Sequence, residues 1–428
     1  MGKKVAVAMS GGVDSGVAAA LLVGQEYEVT GFHLRFWKEK AGDFENKCCD
    51  VKSLEAARKT AWKLGIPFYV LDFEEVFKRK VVDYFLREYA SGRTPNPCVM
   101  CNKYVKFGKF LDYIRKLGFD YLATGHYAHI YEEIQNSKHK IQNKFKIKNP
   151  NFKTYHLLEA KDEGKDQSYF LYNLAQRQLA HILFPVGEYT KKQVREMAKK
   201  WGLAVAERPE SQEICFFPES DYRPFLQRQI PEKIVPGEVV DAKGRVIGKH
   251  FGLPLYTIGQ RHGFKINLKS QTSLPDRQVS NVKSIPPFYV VGKDIKKNRL
   301  IVGFGKETEK KEFLVEKLNW IDPGFRLQAS CLSGRQAVSR LFVRIRHQGE
   351  LLNCQIVKLS NCQIKVILKE PYRGIAPGQA AVFYKKFKMQ NPKSKIQNLP
   401  PSGGTPPKAV TKSKIADLEV VGGGIITI

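Results

Sequence analysis

Lys4-Val5-Ala6-Val7-Ala8-Met9-Ser10-Gly11-Gly12-Val13-Asp14-Ser15 decides the fold. Its short apolar run, a paired-glycine turn and the Ala/Leu-rich stretch 13–25 read as a buried strand, a tight turn and a helix. Two glycines let backbone N–H groups turn inward, and the helix N-terminus adds partial positive charge, so the turn is fitted to cradle phosphate. The hydroxyls of Ser10 and Ser15 can add contacts, and Asp14 is a candidate to hold Mg²⁺. No GKS or GKT follows the glycines, which excludes a Walker loop.

Outward from this unit the alternation continues. Strand-like runs at 29–36, 68–72 and 121–128 are separated by helical spacing at 54–64, 74–89 and 105–117. The pattern predicts a doubly wound parallel α/β sheet, with its ligand beyond the carboxyl ends of the strands. From about 220 the helical period fades. Short runs at 237–240, 289–291, 300–303, 340–345, 362–368, 380–384 and 418–421 predict a small α+β or β domain and then a β-barrel. The expected domains are 1–220, 221–291 and 292–428.

The 428 residues suffice for several domains. Hydrophobic residues at 43% and charged residues at 26% exclude a fully disordered or fibrous chain. The charge is unusual: 71 Lys and Arg against 42 Asp and Glu leave +29, which suits a polyanion such as nucleic acid or an anionic membrane face. Part of the excess sits in segments 134–153 and 387–415, which read as basic low-complexity insertions and share the tetrapeptide KIQN. The remainder is still basic. Segment 269–287 reads as a further loop. No run approaches the ~20 apolar residues of a membrane span, and 5–9 is too short for a signal peptide. Eight cysteines in a chain of this kind point to a reducing, cytoplasmic setting and to catalytic or metal-binding thiols.

The second dense motif is Asn96-Pro97-Cys98-Val99-Met100-Cys101-Asn102-Lys103. Lys103 follows Cys101 by two residues, and a nearby ammonium raises the thiolate fraction of a thiol that is otherwise about 3% ionised at neutral pH. A structural zinc site would need a second pair of ligands, and no second CxxC or paired-His motif exists. Cys215, in Ser211-Gln212-Glu213-Ile214-Cys215-Phe216, reads by itself as a core residue. The adjacent Cys48-Cys49 read as structural or incidental.

The hexapeptide at 10–15 resembles the SGGxDS loop of the ATP-pyrophosphatase group. Together with NPCVMCNKYVKF, LATGHYA (122–128), GKDQSYFL (164–171), SQEICF, YTIGQRHGF (256–264), VRIRHQ (343–348) and EPYRGIAPGQAAVFY (370–384), all in order, it makes the chain resemble the bacterial and organellar tRNA 2-thiouridylases. That resemblance spans nearly everything outside the insertions. It implies an enzyme that adenylates the C2 oxygen of the wobble uridine with ATP and Mg²⁺ and replaces it by sulfur. Cys101 would be the nucleophile. Cys215 would carry the persulfide received from a donor protein, a cysteine desulfurase or relay protein, and form a redox pair with Cys101. Ala8, Met9, Ser10, Gly11, Gly12, Val13, Asp14, Ser15, Leu34 and Gly125 would bind ATP. Asn96, Pro97, Cys98, His126, Lys165, Asp166, Gln167, Arg346, His347 and Gln379 would meet the target base or the rest of the tRNA.

Cys98 stands where several relatives have aspartate, His129 where arginine is usual and His347 where tyrosine is common. Cys98 keeps an alternative open, in which Cys98, Cys101 and Cys215 ligate a [4Fe–4S] cluster that delivers the sulfur. Two other function classes compete. A small-molecule AMP-forming ligase leaves the cysteine motifs unexplained, and a non-catalytic RNA-binding protein leaves the phosphate loop unexplained.

Overall fold

A computed structural model describes residues 2–37, 39, 51–136, 151–210, 214–267, 287–325, 337–360, 362–387, 395–396 and 418–427. Cys48-Cys49, Ser211 to Glu213, all but the last residue of the expected loop 269–287 and most of both basic segments lie outside them. Among the described residues no helix is long and apolar enough to cross a membrane.

Strands β1 (Lys4–Ala8), β2 (Glu28–Arg35), β3 (Phe68–Asp72) and β4 (Tyr121–Ala123) form a parallel sheet in the order β3-β2-β1-β4. Ile182–Leu183 adds a fifth parallel strand beside β4. β1 is buried from Val5 to Val7 and β2 from Val29 to Leu34, as strands covered on both faces must be. Helix α1 (Val13–Gly24) returns across the sheet, and α2 (Val51–Lys63) connects β2 to β3. β4 is shorter than the expected 121–128. The chain leaves the sheet after Ala123, where the hydroxyl of Thr124 lies 2.7 Å from His126 Nδ1, and 124–128 becomes loop.

The expected helix 105–117 begins earlier. Asn96 caps it by accepting a hydrogen bond from Val99 N–H at 3.3 Å, and Pro97 supplies the preset first position. After the first turn, Pro97–Met100, the helix widens to i→i+5 bonding over Cys101–Phe110. Such wide turns are uncommon and frequent at functional sites. The expected helix 74–89 also contains one, at Lys78–Val82.

A second sheet holds Gly237–Val240, Val246–His250, Lys265–Ile266, Tyr289–Asp294 and Arg299–Gly303. The expected boundary at 292 therefore falls inside a strand, and this sheet runs on to Gly303.

Among the described residues the C-terminal barrel has six strands: Glu309–Trp320, Gln363–Arg373, Leu352–Lys358, Ala337–Arg344, Ala380–Lys386 and Leu418–Thr427 in spatial order. Pairing of the last with the first closes it, for example Val315 with Ile426. Phe313, Val315, Val343, Ile356, Val366 and Phe383 fill the interior. The expected fold class matches this architecture.

The basic segment 134–153 is not wholly an insertion. Its ends belong to an antiparallel hairpin of His129–Asn136 with Asn151–Leu158. That hairpin joins the barrel where Leu157 pairs with Val420 and Leu158 with Glu419. Lys395–Ile396, from the second basic segment, pairs with its other edge. Lysine-rich composition concealed strands anchored by buried Ile130, Tyr131, Leu157 and Leu158.

Candidate active site

The turn after β1 is held by its own side chains. Ser15 Oγ donates to Gly12 O at 3.0 Å and accepts from Ser10 N–H at 3.3 Å. Gly11 adopts φ +78°, and a Cβ there would meet Ser53 O at 2.1 Å. Gly125, in the loop after β4, rests on the start of α1 so closely that a Cβ would sit 2.6 Å from Ser15 N. Two strand ends thus bring 10–15 and 124–126 together, at the place open parallel sheets bind ligands.

Sequence reasoning missed Lys191. It is the first residue of helix Lys191–Lys200, capped by Thr190, and it is buried. Its ammonium lies 2.7 Å from each carboxylate oxygen of Asp14, and Tyr127 OH donates to Asp14 Oδ1 at 2.8 Å. Glu210 lies 3.7 Å from Lys191 and also pairs with Lys165 at 2.9 Å. One signal was available: a lysine in a helix's first turn opposes the macrodipole and needs a compensating anion.

A cavity of about 300 Å³ extends from this loop to the cysteines. Ala8, Met9, Ser10, Gly12, Asp14, Ser15, Leu34 and Gly125 line one part of it, and Pro97, Cys98, Cys101, His126, Gln167 and Cys215 another. The fold therefore brings Cys101 and Cys215 to one cavity, with Cys98 beside them. None of the three forms a disulfide with another described residue.

The cation that acts on Cys98 and Cys101 is Lys106, not Lys103. Lys106 lies five positions after Cys101, the spacing of the widened helix turn, and both line the cavity. Lys103 lines a different cavity. Burial outweighs the ammonium: the Cys101 thiol is pushed up to about 12 by desolvation, with Lys106 pulling it down and Cys215 and Cys98 adding to the rise. Cys98 stands at the open wall, yet the groups packed around its sulfur push it up to about 11, and Cys215 contributes. Burial therefore works against the raised thiolate fraction expected from sequence. His126 is held well below the ordinary histidine value by burial and then by Lys106, so its imidazole is neutral.

The remaining expected residues divide. Asp166 is buried and accepts from Ala160 N–H at 2.9 Å and Ser168 Oγ at 2.7 Å, which fixes the turn that presents Gln167. Gln167 accepts from Tyr127 N–H at 3.0 Å. Asn96 is spent on its cap, and Val13 is buried in the core. From the barrel, Gln379 Nε2 donates to Thr94 O at 3.1 Å and braces the approach to the cysteine helix. His347 packs on Phe170, ring centroids 4.3 Å apart, and Phe170 lines the cavity. Arg346 bonds Tyr372 OH at 3.1 Å and is not among the lining residues. Asn102 is a second residue missed: its amide donates to Phe170 O at 3.2 Å and ties the cysteine helix to that ring.

Neither metal candidate fits the side chains as they stand. Mg²⁺ is commonly held by one or two carboxylates with substrate phosphates, but both Asp14 oxygens already face Lys191. Among the described residues no group of three His, Cys, Asp or Glu converges as a metal site, which includes the three cavity cysteines. A thiol, a neutral imidazole and a phosphate cradle around one cavity suit group transfer between a phosphate ester and sulfur.

Three family models cover most of the chain. One described as the tRNA methyl transferase HUP domain matches residues 3–219. The tRNA methyl transferase PRC-barrel domain matches 223–304, and the aminomethyltransferase beta-barrel domain matches 310–388. The chain is 42% identical over 391 residues to the tRNA-specific 2-thiouridylase MnmA of Carboxydothermus hydrogenoformans, covering 90% of this chain and 94% of that protein. It is 42% identical over 388 residues to the protein of that name from Symbiobacterium thermophilum, covering 89% of each. For the one from Roseiflexus castenholzii the identity is 41% over 388 residues, with 89% and 96% covered.

Proposed function

The chain belongs to the tRNA-specific 2-thiouridylase family, and on that premise we propose that it replaces the C2 oxygen of the wobble uridine in tRNA with sulfur, at the expense of ATP. One observation carries the reading: Cys101 and Cys215 share a cavity with the phosphate loop.

The C2 carbonyl of uracil is urea-like and a poor electrophile, so its oxygen must first become a leaving group. The oxygen attacks the α-phosphate of ATP, held over residues 10–15, and pyrophosphate departs. The terminal sulfur of a Cys215 persulfide adds to C2. Cys101 attacks the inner sulfur, the S–S bond to the transferred atom breaks, and its electron pair stays on that atom. The adduct collapses to the thiocarbonyl and expels AMP. Cys101 and Cys215 are left as a disulfide, which an external thiol reductant reopens.

The persulfide comes from a donor protein, a cysteine desulfurase or a sulfur relay protein, and the reaction belongs in the cytoplasm with its tRNA. Loop backbone N–H groups and Lys191 receive the phosphate charge, and Gln167 and His126 face the base. Mg²⁺ would accompany ATP through its phosphates, and no step here depends on a protein-bound metal.

The test is thiolation of an unmodified tRNA transcript with ATP and a persulfide donor, read as 2-thiouridine and AMP. Cys101→Ser and Cys215→Ser should each abolish product while tRNA binding stays near normal. Full activity in either variant overturns the relay. Iron and labile sulfide measured on the anaerobically purified active sample decide the cluster alternative, since iron required for turnover would make Cys98 a ligand.

A further inference from the structure

A second cavity, of about 280 Å³, lies where the catalytic domain meets the barrel. Arg79, Lys80 and Arg87 line it from the helical segment 78–90, Lys103 and Tyr104 from the helix that carries Cys101, and Lys317 from the barrel strand Glu309–Trp320. Lys80 and Arg87 lie seven apart on one helix face, and Met100, Lys103 and Tyr104 share a face of the other.

Among the described residues no acid lines this cavity. Among the described residues Lys80, Arg87, Lys103 and Lys317 form no ion pair. Arg79 has only Glu75, at 3.9 Å with a side chain 91% exposed, a contact worth little. Carboxylates on the same helix are engaged elsewhere: Asp83 with Lys78, and Glu88 with Arg93 at 2.7 Å. The ammoniums of Lys80 and Lys103 both lie over the Tyr104 ring, 5.2 and 5.4 Å from its centre. Burial holds the Lys103 ammonium below its ordinary value, and the like charge of Lys317 adds to that.

The position of Lys317 is itself strained. It has φ +53°, rare for a residue with a side chain, where the register of its strand against Leu418–Thr427 slips between Glu316 and Asn319. Five cations gathered in a concavity that no described acid lines repel one another, and an anion among them removes that repulsion.

We propose that this cavity binds a backbone phosphate of the RNA substrate, while another face of the same helix serves the thiol-lined cavity. The proposal rests on the proposed function for the presence of RNA and adds a place for its backbone. A recessed pocket lined by Lys and Arg, with tyrosine rings between, suits a phosphate and its sugar better than the flat face of an acidic protein.

The experiment compares the full chain with the double variant Lys103→Met, Lys317→Asn. Methionine keeps the apolar stem, and asparagine tolerates positive φ. Affinity for unmodified tRNA is measured across a salt series. The double variant should bind about tenfold more weakly at low salt, with the slope of log K against log salt smaller by about one to two units. Its melting temperature without RNA should be unchanged or raised, because repulsion has been removed.

Unchanged affinity and slope overturn the proposal, as does a large loss of stability, which would make the cations structural. Unchanged tRNA binding with lost sulfur acceptance would assign the cavity to the donor protein instead. Unchanged tRNA binding with loss of a wild-type site for added pyrophosphate would assign it to that product. If the unaltered protein fails to bind tRNA, the proposed function falls; if it binds and the variant matches it, only this site does.

Discussion

Lys191 grips Asp14 through both carboxylate oxygens at 2.7 Å, across 177 positions of sequence. Asp14 lies in the proposed phosphate loop and lines the cavity, so a polyphosphate bound there would compete with Asp14 for the same ammonium. Lys191→Met should lower kcat/KM for ATP by about 10- to 100-fold, by analogy with loss of a charge-stabilising donor, and leave tRNA affinity unchanged. Asp14 keeps partial exposure, so the stability lost by stranding it is expected at about 1–2 kcal/mol, discounted for solvent screening. ATP-dependent kinetics and thermal melting check both parts.

Cys101 should be a sluggish thiol. With its thiol pushed up to about 12, its thiolate fraction near neutral pH is on the order of a thousandfold below that of a free cysteine. Iodoacetamide labelling followed by peptide mass spectrometry should show Cys101 modified far more slowly than exposed Cys362, with a rate that climbs about tenfold per pH unit up to at least pH 9. Lys106→Met should slow it further, because the ammonium that favours the thiolate is gone. Labelling of Cys101 at the rate of Cys362 at neutral pH would contradict the argument.

Gly125→Ala should injure ATP use without unfolding the protein. The added methyl would sit 2.6 Å from Ser15 N and 2.7 Å from the Asp14 carbonyl carbon, both backbone atoms. The loop must shift by several tenths of an ångström. KM for ATP should rise by about tenfold or more, since misplacement near 1 Å can cost about a hundredfold. A KM equal to that of the unaltered protein would mean that the two loops yield freely.

His156 supports the junction of hairpin and barrel with a definite pH sign. Burial opposes its charge, but Glu419, 2.7 Å from Nδ1, and Glu133, 3.2 Å from Nε2, prevail and raise its pKa above 6.5. The folded state therefore holds the proton more tightly than the unfolded chain. That stabilisation is complete below about pH 6.5 and fades as pH rises through the folded value. His156→Gln should lower the melting temperature more at pH 6 than at pH 9, and an equal loss at both would remove the charge from the account.

What the sequence disclosed was what is local. The phosphate loop was legible because strand, glycine turn and helix follow one another within residues 4–25, and the first sheet because its strands are buried on both faces. Pairings across distance were not. Nothing in SQEICF states that Cys215 reaches the cavity of Cys101, and that expectation came from the resemblance. Closeness in sequence points to Lys103 as the thiol's cation and says nothing of a widened turn, which gives that place to Lys106. Part of the hairpin at 129–158 reads as an insertion because its apolar anchors lie beside a lysine-rich stretch. Asp166 and Asn96 read as ligands by type, and in the fold both also hold local turns, Asp166 through Ala160 N–H and the Ser168 hydroxyl and Asn96 through Val99 N–H.

Closure of the barrel has a consequence for the order in which the molecule is made. Strand Glu309–Trp320 can seal the barrel only against Leu418–Thr427, and the hairpin of the catalytic domain docks on that same late strand. On the ribosome the parallel sheet has all its strands by Leu183. The barrel and the hairpin must wait, with open edges, until residue 427 emerges. A stalled or clipped chain lacking that strand would carry a finished nucleotide cradle beside an unsealed barrel, and the cell would meet it as a substrate for chaperones rather than as an enzyme.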